Sequence, residues 1–220
     1  MKKGLTEMVF ILDRSGSMAG LESDTIGGFN GMLNSQRQVE GEAVVTTVLF
    51  DDRYELLHDR IPLAGVAPIN DKQYYVRGCT AMLDAVGRTI QKIANVQDNT
   101  AEAMKAEKVI FVITTDGLEN ASREYRYPQI RQMIQEKQKN GWEFIFLGAN
   151  MDAVAEGAKM GIGADRAATY RCDSAGVQAN YKAVEAFVTH TRRCAAPMGD
   201  EWKKNVEEDQ KRRKRKSGKC

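Results

Sequence analysis

Four short apolar runs punctuate the chain: Met8-Val9-Phe10-Ile11-Leu12, Val44 to Phe50, Val109 to Ile113 and Phe144-Ile145-Phe146-Leu147. Such runs predict strands covered on both faces, as in a parallel sheet buried between two layers. Helical periodicity fills the gaps. Ile26, Phe29, Asn30 and Leu33 mark one stripe, with Gly41 as its stop; Leu83, Val86, Ile90 and Ile93 mark a second, with Thr80 at its N-cap. A third helix starts at Pro128, passes through Ile130 and Ile134, and stops at Asn140-Gly141. A helix around Ala153 to Met160, a short strand near Ala167 to Tyr170, and a last helix marked by Val177, Tyr181, Val184 and Val188 complete the pattern. Arg53 to Ile61 reads as a strand folded back on Val44 to Phe50 through a tight turn at Asp51-Asp52. The expected fold is α/β: a doubly wound, mainly parallel sheet with one antiparallel edge strand and helices on both faces.

At 220 residues with 42% apolar side chains, the chain can supply one large core, so a single domain over residues 1–196 is expected, followed by a basic, flexible C-terminal tail, 197–220. The formal charge of +2 is nearly balanced and argues against nucleic-acid binding by the chain as a whole. Cys79, Cys172, Cys194 and Cys220 are scattered, which points to reduced thiols rather than a disulfide frame or a zinc cage. No apolar run approaches the roughly 18 residues of a membrane span, and the first strand leaves no room for a signal core; a cytoplasmic protein is expected.

The chemistry concentrates at strand ends. Asp13, Ser15 and Ser17 place three small oxygen donors at alternate positions after the first strand, with Gly16 as the expected source of backbone freedom. Thr80 follows the irregular connection from Pro62 to Cys79, and Asp116 follows the strand Val109 to Ile113. In doubly wound folds such carboxyl ends share the edge where ligands bind. An all-oxygen set suits a hard divalent ion, Mg²⁺ first, with Mn²⁺ or Ca²⁺ as alternatives. The competing structural reading makes Asp13 a helix cap and the serines turn formers. Arg14 is expected at the surface beside a ligand, and Glu119 and Asn120 in a solvated loop outside the metal shell. Asp51 and Asp52 read as turn formers, and His58 and His190 as surface or structural residues.

Asp13-x-Ser15-x-Ser17, then Gly78-x-Thr80, then Thr115-Asp116-Gly117, in this order, resemble the metal-ion-dependent adhesion site of von Willebrand factor A domains, in the manner of stand-alone bacterial-type members. The resemblance covers about residues 5 to 195, since the order of strands and helices also follows the family. It implies a Rossmann-like fold and direct metal contacts from Ser15 and Ser17. Thr80 would contact the ion directly or through water, and Asp13 and Asp116 largely through water. It further implies an open position that takes an Asp or Glu carboxylate from a partner protein, an ATPase or multi-protein assembly in related intracellular members. Some members couple capture to movement of the last helix, here about Ala175 to Arg193; unchanged partner affinity in a chain locked at that helix would argue against it.

The leading expectation is therefore a non-enzymatic, metal-dependent adaptor or assembly factor. A Mg²⁺-dependent hydrolase or phosphoryl-transfer enzyme is the first alternative, weakened by the absence of a Gly-x-x-x-x-Gly-Lys loop and of an acid or base beside the motif. Nucleic-acid association through Lys211-Arg212-Arg213-Lys214-Arg215-Lys216 is the second, without aromatic residues in that run to stack on bases.

Overall fold

The computed structural model describes the backbone of residues 1–217 and the side chains of residues 1–210. Six strands, β1 (Lys2–Asp13), β2 (Ala43–Phe50), β3 (Tyr54–Pro62), β4 (Ala106–Thr115), β5 (Glu143–Ala149) and β6 (Ala167–Tyr170), alternate with α1 (Glu22–Gln36), α2 (Met82–Asp98), α3 (Tyr127–Lys139) and α4 (Ala153–Lys159). Two further helices, α5 (Ser174–Arg193) and α6 (Lys204–Ser217), follow β6. The strands form one sheet in the order β3-β2-β1-β4-β5-β6, all parallel except β3, which pairs antiparallel with β2.

Period-two alternation sends each central strand into two cores. Met8, Phe10 and Leu12 of β1, with Ile110 and Val112 of β4, meet Phe29 and Leu33 of α1 and Val184 and Phe187 of α5. Val9, Ile11, Phe111 and Ile113 face the other way, onto Leu83, Val86 and Ile90 of α2 and Ile130 and Ile134 of α3. Both faces of the sheet are thus apolar, which is why the strand sequences lack polar alternation. Register aligns the strand ends. Asp13 lies opposite Phe50, and Leu12 opposite Thr114, so the loops after β1 and β4 emerge side by side.

Three local expectations change. The first helix ends at Gln36 rather than near Gly41, which sits in a left-handed turn (φ 97°) ahead of β2. Carbonyls of this segment are satisfied from a distance, because Arg192 donates to Gln36 O at 2.6 Å and to Gly41 O at 2.9 Å. Ala81, not Thr80, occupies the N-cap of α2 and makes no side-chain cap. Core packing also continues past residue 196. Trp202 (2% exposed) and Val206 (1%) join the α1–α5 face of the core, and the Trp202 indole N–H donates to Asp165 O at 2.9 Å.

Candidate metal centre

Each donor is held by its own local device. Asp13 ends β1 almost fully buried (1% exposed); one carboxylate oxygen accepts the Ser15 amide at 2.6 Å and the other the Thr115 hydroxyl at 2.5 Å. The Tyr74 hydroxyl donates to the Asp13 carbonyl at 2.5 Å. Ser15 and Ser17 bracket the start of a 3₁₀ turn, Gly16–Met18, in which Met18 N donates to Ser15 O. Gly16 takes no left-handed backbone, contrary to the sequence expectation. The freedom is used across the loop at Gly78 (φ 66°), whose carbonyl accepts Gly16 N at 3.2 Å. Through this bond, and Arg77 N to Arg14 O at 2.9 Å, the connection from Pro62 to Cys79 is laid along the β1 loop and delivers Thr80.

Thr80 is then clamped to the loop after β4. Its amide donates to Asn120 Oδ1 at 2.9 Å, and its carbonyl accepts the amides of Asn120 and Ala121. Glu119 accepts the Leu83 amide at the start of α2 and the amides of Ala121 and Ser122. Glu119 and Asn120 are therefore builders of the site rather than residues of a free loop. They supply acceptors for amides that Thr80 and Ala81 leave uncapped.

The five predicted residues come together. Ser15 Oγ lies 3.1 Å from Ser17 Oγ and accepts the Thr80 hydroxyl at 3.0 Å, while Ser17 donates to Asp116 Oδ1 at 2.5 Å. Thr80, Ser17 and Ser15 open onto one small space beside Gly117: a Cβ added there would stand 2.9, 3.0 and 3.8 Å from their hydroxyl oxygens. The donor set is two carboxylates and three hydroxyls; among the described residues no three His, Cys, Asp or Glu side chains form a metal-holding group. Oxygen donors around a cradle that only a glycine leaves free fit a hard divalent ion.

Electrostatics favours a cation as well. Burial pushes the Asp13 carboxyl up to about 6, against the lowering effect of its bonds to Thr115 and Ser15, and the nearby Asp116 adds to the rise. Asp116 is raised by burial too, although Ser17 and Cys172 donate to it. Two buried carboxylates repel each other, and among the described residues neither forms an ion pair, a condition that a divalent ion relieves.

The sequence reading missed the support beneath the site. Arg14, expected at the surface, is fully buried (0% exposed): its guanidinium donates to Asp51 Oδ2 at 2.9 Å, to Glu55 at 2.7 Å and to Gln73 O at 3.3 Å. Arg77 reaches the same Asp51 oxygen at 2.6 Å. Burial works to raise the Asp51 carboxyl, but the bonds from Arg77 and the Arg53 amide and the Arg14 charge outweigh it, so its pKa is lowered. Asp51 therefore does more than form a turn; with Arg14 it ties the β1 loop to β2. His58 is buried against Thr47 at 3.0 Å, a structural placement. Cys172, after β6, donates to Asp116 Oδ2 at 3.5 Å; Cys79, Cys172 and Cys194 are free thiols.

This sheet order, with one antiparallel edge strand and helices on both faces, is the von Willebrand factor A fold, and solved structures bear the fold out. Proximal thread matrix protein 1 from the mussel byssus, solved with a zinc-occupied metal-ion-dependent adhesion site, aligns over 84% of this chain at 15% identity and a TM-score of 0.57. This chain spans 46% of that protein's length. Manganese-loaded TRAP protein of Plasmodium vivax aligns over 81% of this chain and 73% of its own at 16% identity (TM-score 0.53). The corresponding domain of the type V pilus tip protein Mfa5 from Porphyromonas gingivalis covers 88% of this chain and 98% of its own at 10% identity (TM-score 0.60). No protein-family model and no curated protein matches the sequence. Among the described residues, no helix is long and apolar enough to cross a membrane.

Proposed function

We propose that this chain is a non-enzymatic, divalent-cation-dependent protein-binding module that serves as an adaptor or assembly factor. The carrying observation is the convergence of Ser15, Ser17 and Thr80 on the space beside Gly117, with Asp13 and Asp116 behind them. Ser15, Ser17 and Thr80 would hold the ion, Mg²⁺ by preference, and Asp13 and Asp116 would orient its water ligands. Bound there, the ion supplies an electrophilic point with an open position. Neutral hydroxyls neutralise little of a dication, so the site attracts a further anionic oxygen, an Asp or Glu carboxylate of a partner. Metal-loaded neighbours of the same fold support the reading.

Asp13 is positioned by two hydrogen bonds and Thr80 by three, so the donors need little rearrangement to receive an ion. The test compares proteins retained by the wild type and by Asp13→Ala in Mg²⁺ and in EDTA, with magnesium titrated calorimetrically into both. A partner lost under EDTA and under substitution, with loss of the calorimetric signal, is expected. Identical retained proteins in all conditions would refute the proposal.

A further inference from the structure

The carboxyl edge of the sheet holds a second concave feature next to the candidate metal centre. A cleft of about 720 Å³ opens beside Thr80, with Cys79 and Asn120 in its wall. Cys79 precedes Thr80 in the chain, and Asn120 Oδ1 accepts the Thr80 amide at 2.9 Å, so the cleft and the oxygen cluster share this wall. Two arginines from separate loops border the cleft: Arg53 from the turn between β2 and β3, and Arg123 from the loop after β4. Their backbones are fixed. Arg53 N donates to Asp51 Oδ1 at 2.7 Å, and Arg123 N donates to Asp84 Oδ2 at 2.8 Å. The Asp51 carbonyl in turn accepts the Ala81 amide at 2.8 Å, which ties the Arg53 turn to the segment that carries Thr80.

The two guanidinium groups are unspent. Both residues are exposed, and among the described residues neither side chain has a hydrogen-bond or ion-pair partner. Most other charges of the cleft are already engaged: Arg88 pairs with Glu124, and Asp84 accepts the amides of Arg123, Glu124 and Tyr125. Asp52, the remaining acid of the lining, is pressed against Gly78. Unspent charge is therefore two cations to one anion, and a guanidinium fork matches a carboxylate. We infer that this cleft is a second subsite of the partner-binding face, and that it takes a further carboxylate of the acidic segment whose first carboxylate seats at the metal centre. The inference rests on the metal-dependent reading above. Because the cleft begins at the residues flanking Thr80, the two acids lie close together in the partner's sequence. An extended segment advances about 3.3 Å per residue, so a spacing of two to four residues covers about 7–13 Å. The side chains of the basic run, residues 211–216, lie outside the described residues, and the surface is built without them.

The experiment uses the full chain and the double variant Arg53→Gln with Arg123→Gln, whose exposed, unpaired side chains leave the fold intact, as a thermal melt checks. Labelled peptides capped at both ends carry one Asp, or two Asp spaced two, three or four residues apart, in a Gly and Ser background. Binding is followed by fluorescence anisotropy in Mg²⁺ or EDTA, at low and high salt. A magnesium-induced thermal shift reports the metal centre separately. In Mg²⁺ at low salt the second Asp, at one of the spacings, should tighten binding to the wild type by roughly threefold to tenfold and to the glutamine variant by less than about twofold. High salt should shrink that gap. EDTA should weaken every peptide, while the glutamine variant keeps the wild-type magnesium shift. An equal gain from the second Asp in both proteins, or no gain at any spacing, with the magnesium shift intact, overturns the cleft subsite alone. A phosphoserine in place of the second Asp that binds the wild type equally well in Mg²⁺ and EDTA assigns the cleft to a metal-independent phosphate ligand and also overturns it. No magnesium shift in the wild type refutes the metal reading and this inference with it.

Discussion

Asp13→Asn isolates the energetic cost of holding a carboxylate in the metal centre. The Asp13 pKa rises from 3.8 to about 6 through burial. At about 1.4 kcal/mol per pH unit, this corresponds to roughly 3 kcal/mol. Because the folded-state value is raised, the associated stability is fully present below pH 3.8 and is lost as pH rises through about 6. Metal-free protein at pH 7.5 therefore carries the whole cost. Asparagine keeps the shape and an oxygen for the Ser15 amide. Its NH₂ can donate to Thr115, whose hydroxyl has an alternative acceptor in Gly117 O at 3.0 Å. In EDTA at pH 7.5 the variant should be more stable than wild type by up to about 3 kcal/mol, or roughly 6–12 °C in Tm for a chain of this length. The gap should close as pH falls from 7.5 to 4. Added Mg²⁺ should raise the Tm of the wild type and leave the variant unmoved, because only a folded state that binds the ion is stabilised. Urea melts and thermal melts at several pH values, with and without Mg²⁺, measure all three effects. A variant less stable than wild type in EDTA at pH 7.5, or one with an equal magnesium shift, would refute the reasoning.

Gly117→Ala places a methyl group 2.9–3.0 Å from the hydroxyls of Thr80 and Ser17, so calorimetry should show weakened Mg²⁺ binding while circular dichroism retains the native spectrum. Asp51→Asn takes from the buried Arg14 the fully buried one of its two carboxylate partners, leaving only the half-exposed Glu55, and should cost roughly 3 kcal/mol in urea melts. Since the Asp51 pKa is lowered, the wild-type contribution should persist above pH 3.8 and disappear only as pH falls further, so the difference between the two proteins should narrow in acid. Trp202→Ala should cost roughly 3–5 kcal/mol if residues beyond 196 are part of the core, and a change under 1 kcal/mol would show that they are not.

Local pattern was enough for the six strands, the first five helices and the order of the site motifs, but not for α6, which falls in the segment read as a flexible tail. Apolar runs without polar alternation specify strands buried on both faces, and parallel pairing then carries Asp13 and Asp116 to one edge whatever the loops do. Side-chain environments were not legible, because they depend on residues far away in the chain. Arg14 reads as a surface charge until β2 brings Asp51 against it, 37 residues later. Thr80 reads as a helix cap until the β1 loop offers its hydroxyl another partner, and Glu119 and Asn120 read as loop residues until the amides of the Thr80 segment reach them. Trp202 and Val206 stand just before a strongly charged run that hides their apolar contribution in any local average. The sequence by itself determined which residues could donate oxygen and which strands would present them. Only the tertiary structure decided how those donors are held, because each is fixed by hydrogen bonds and buried charges that close across separate loops.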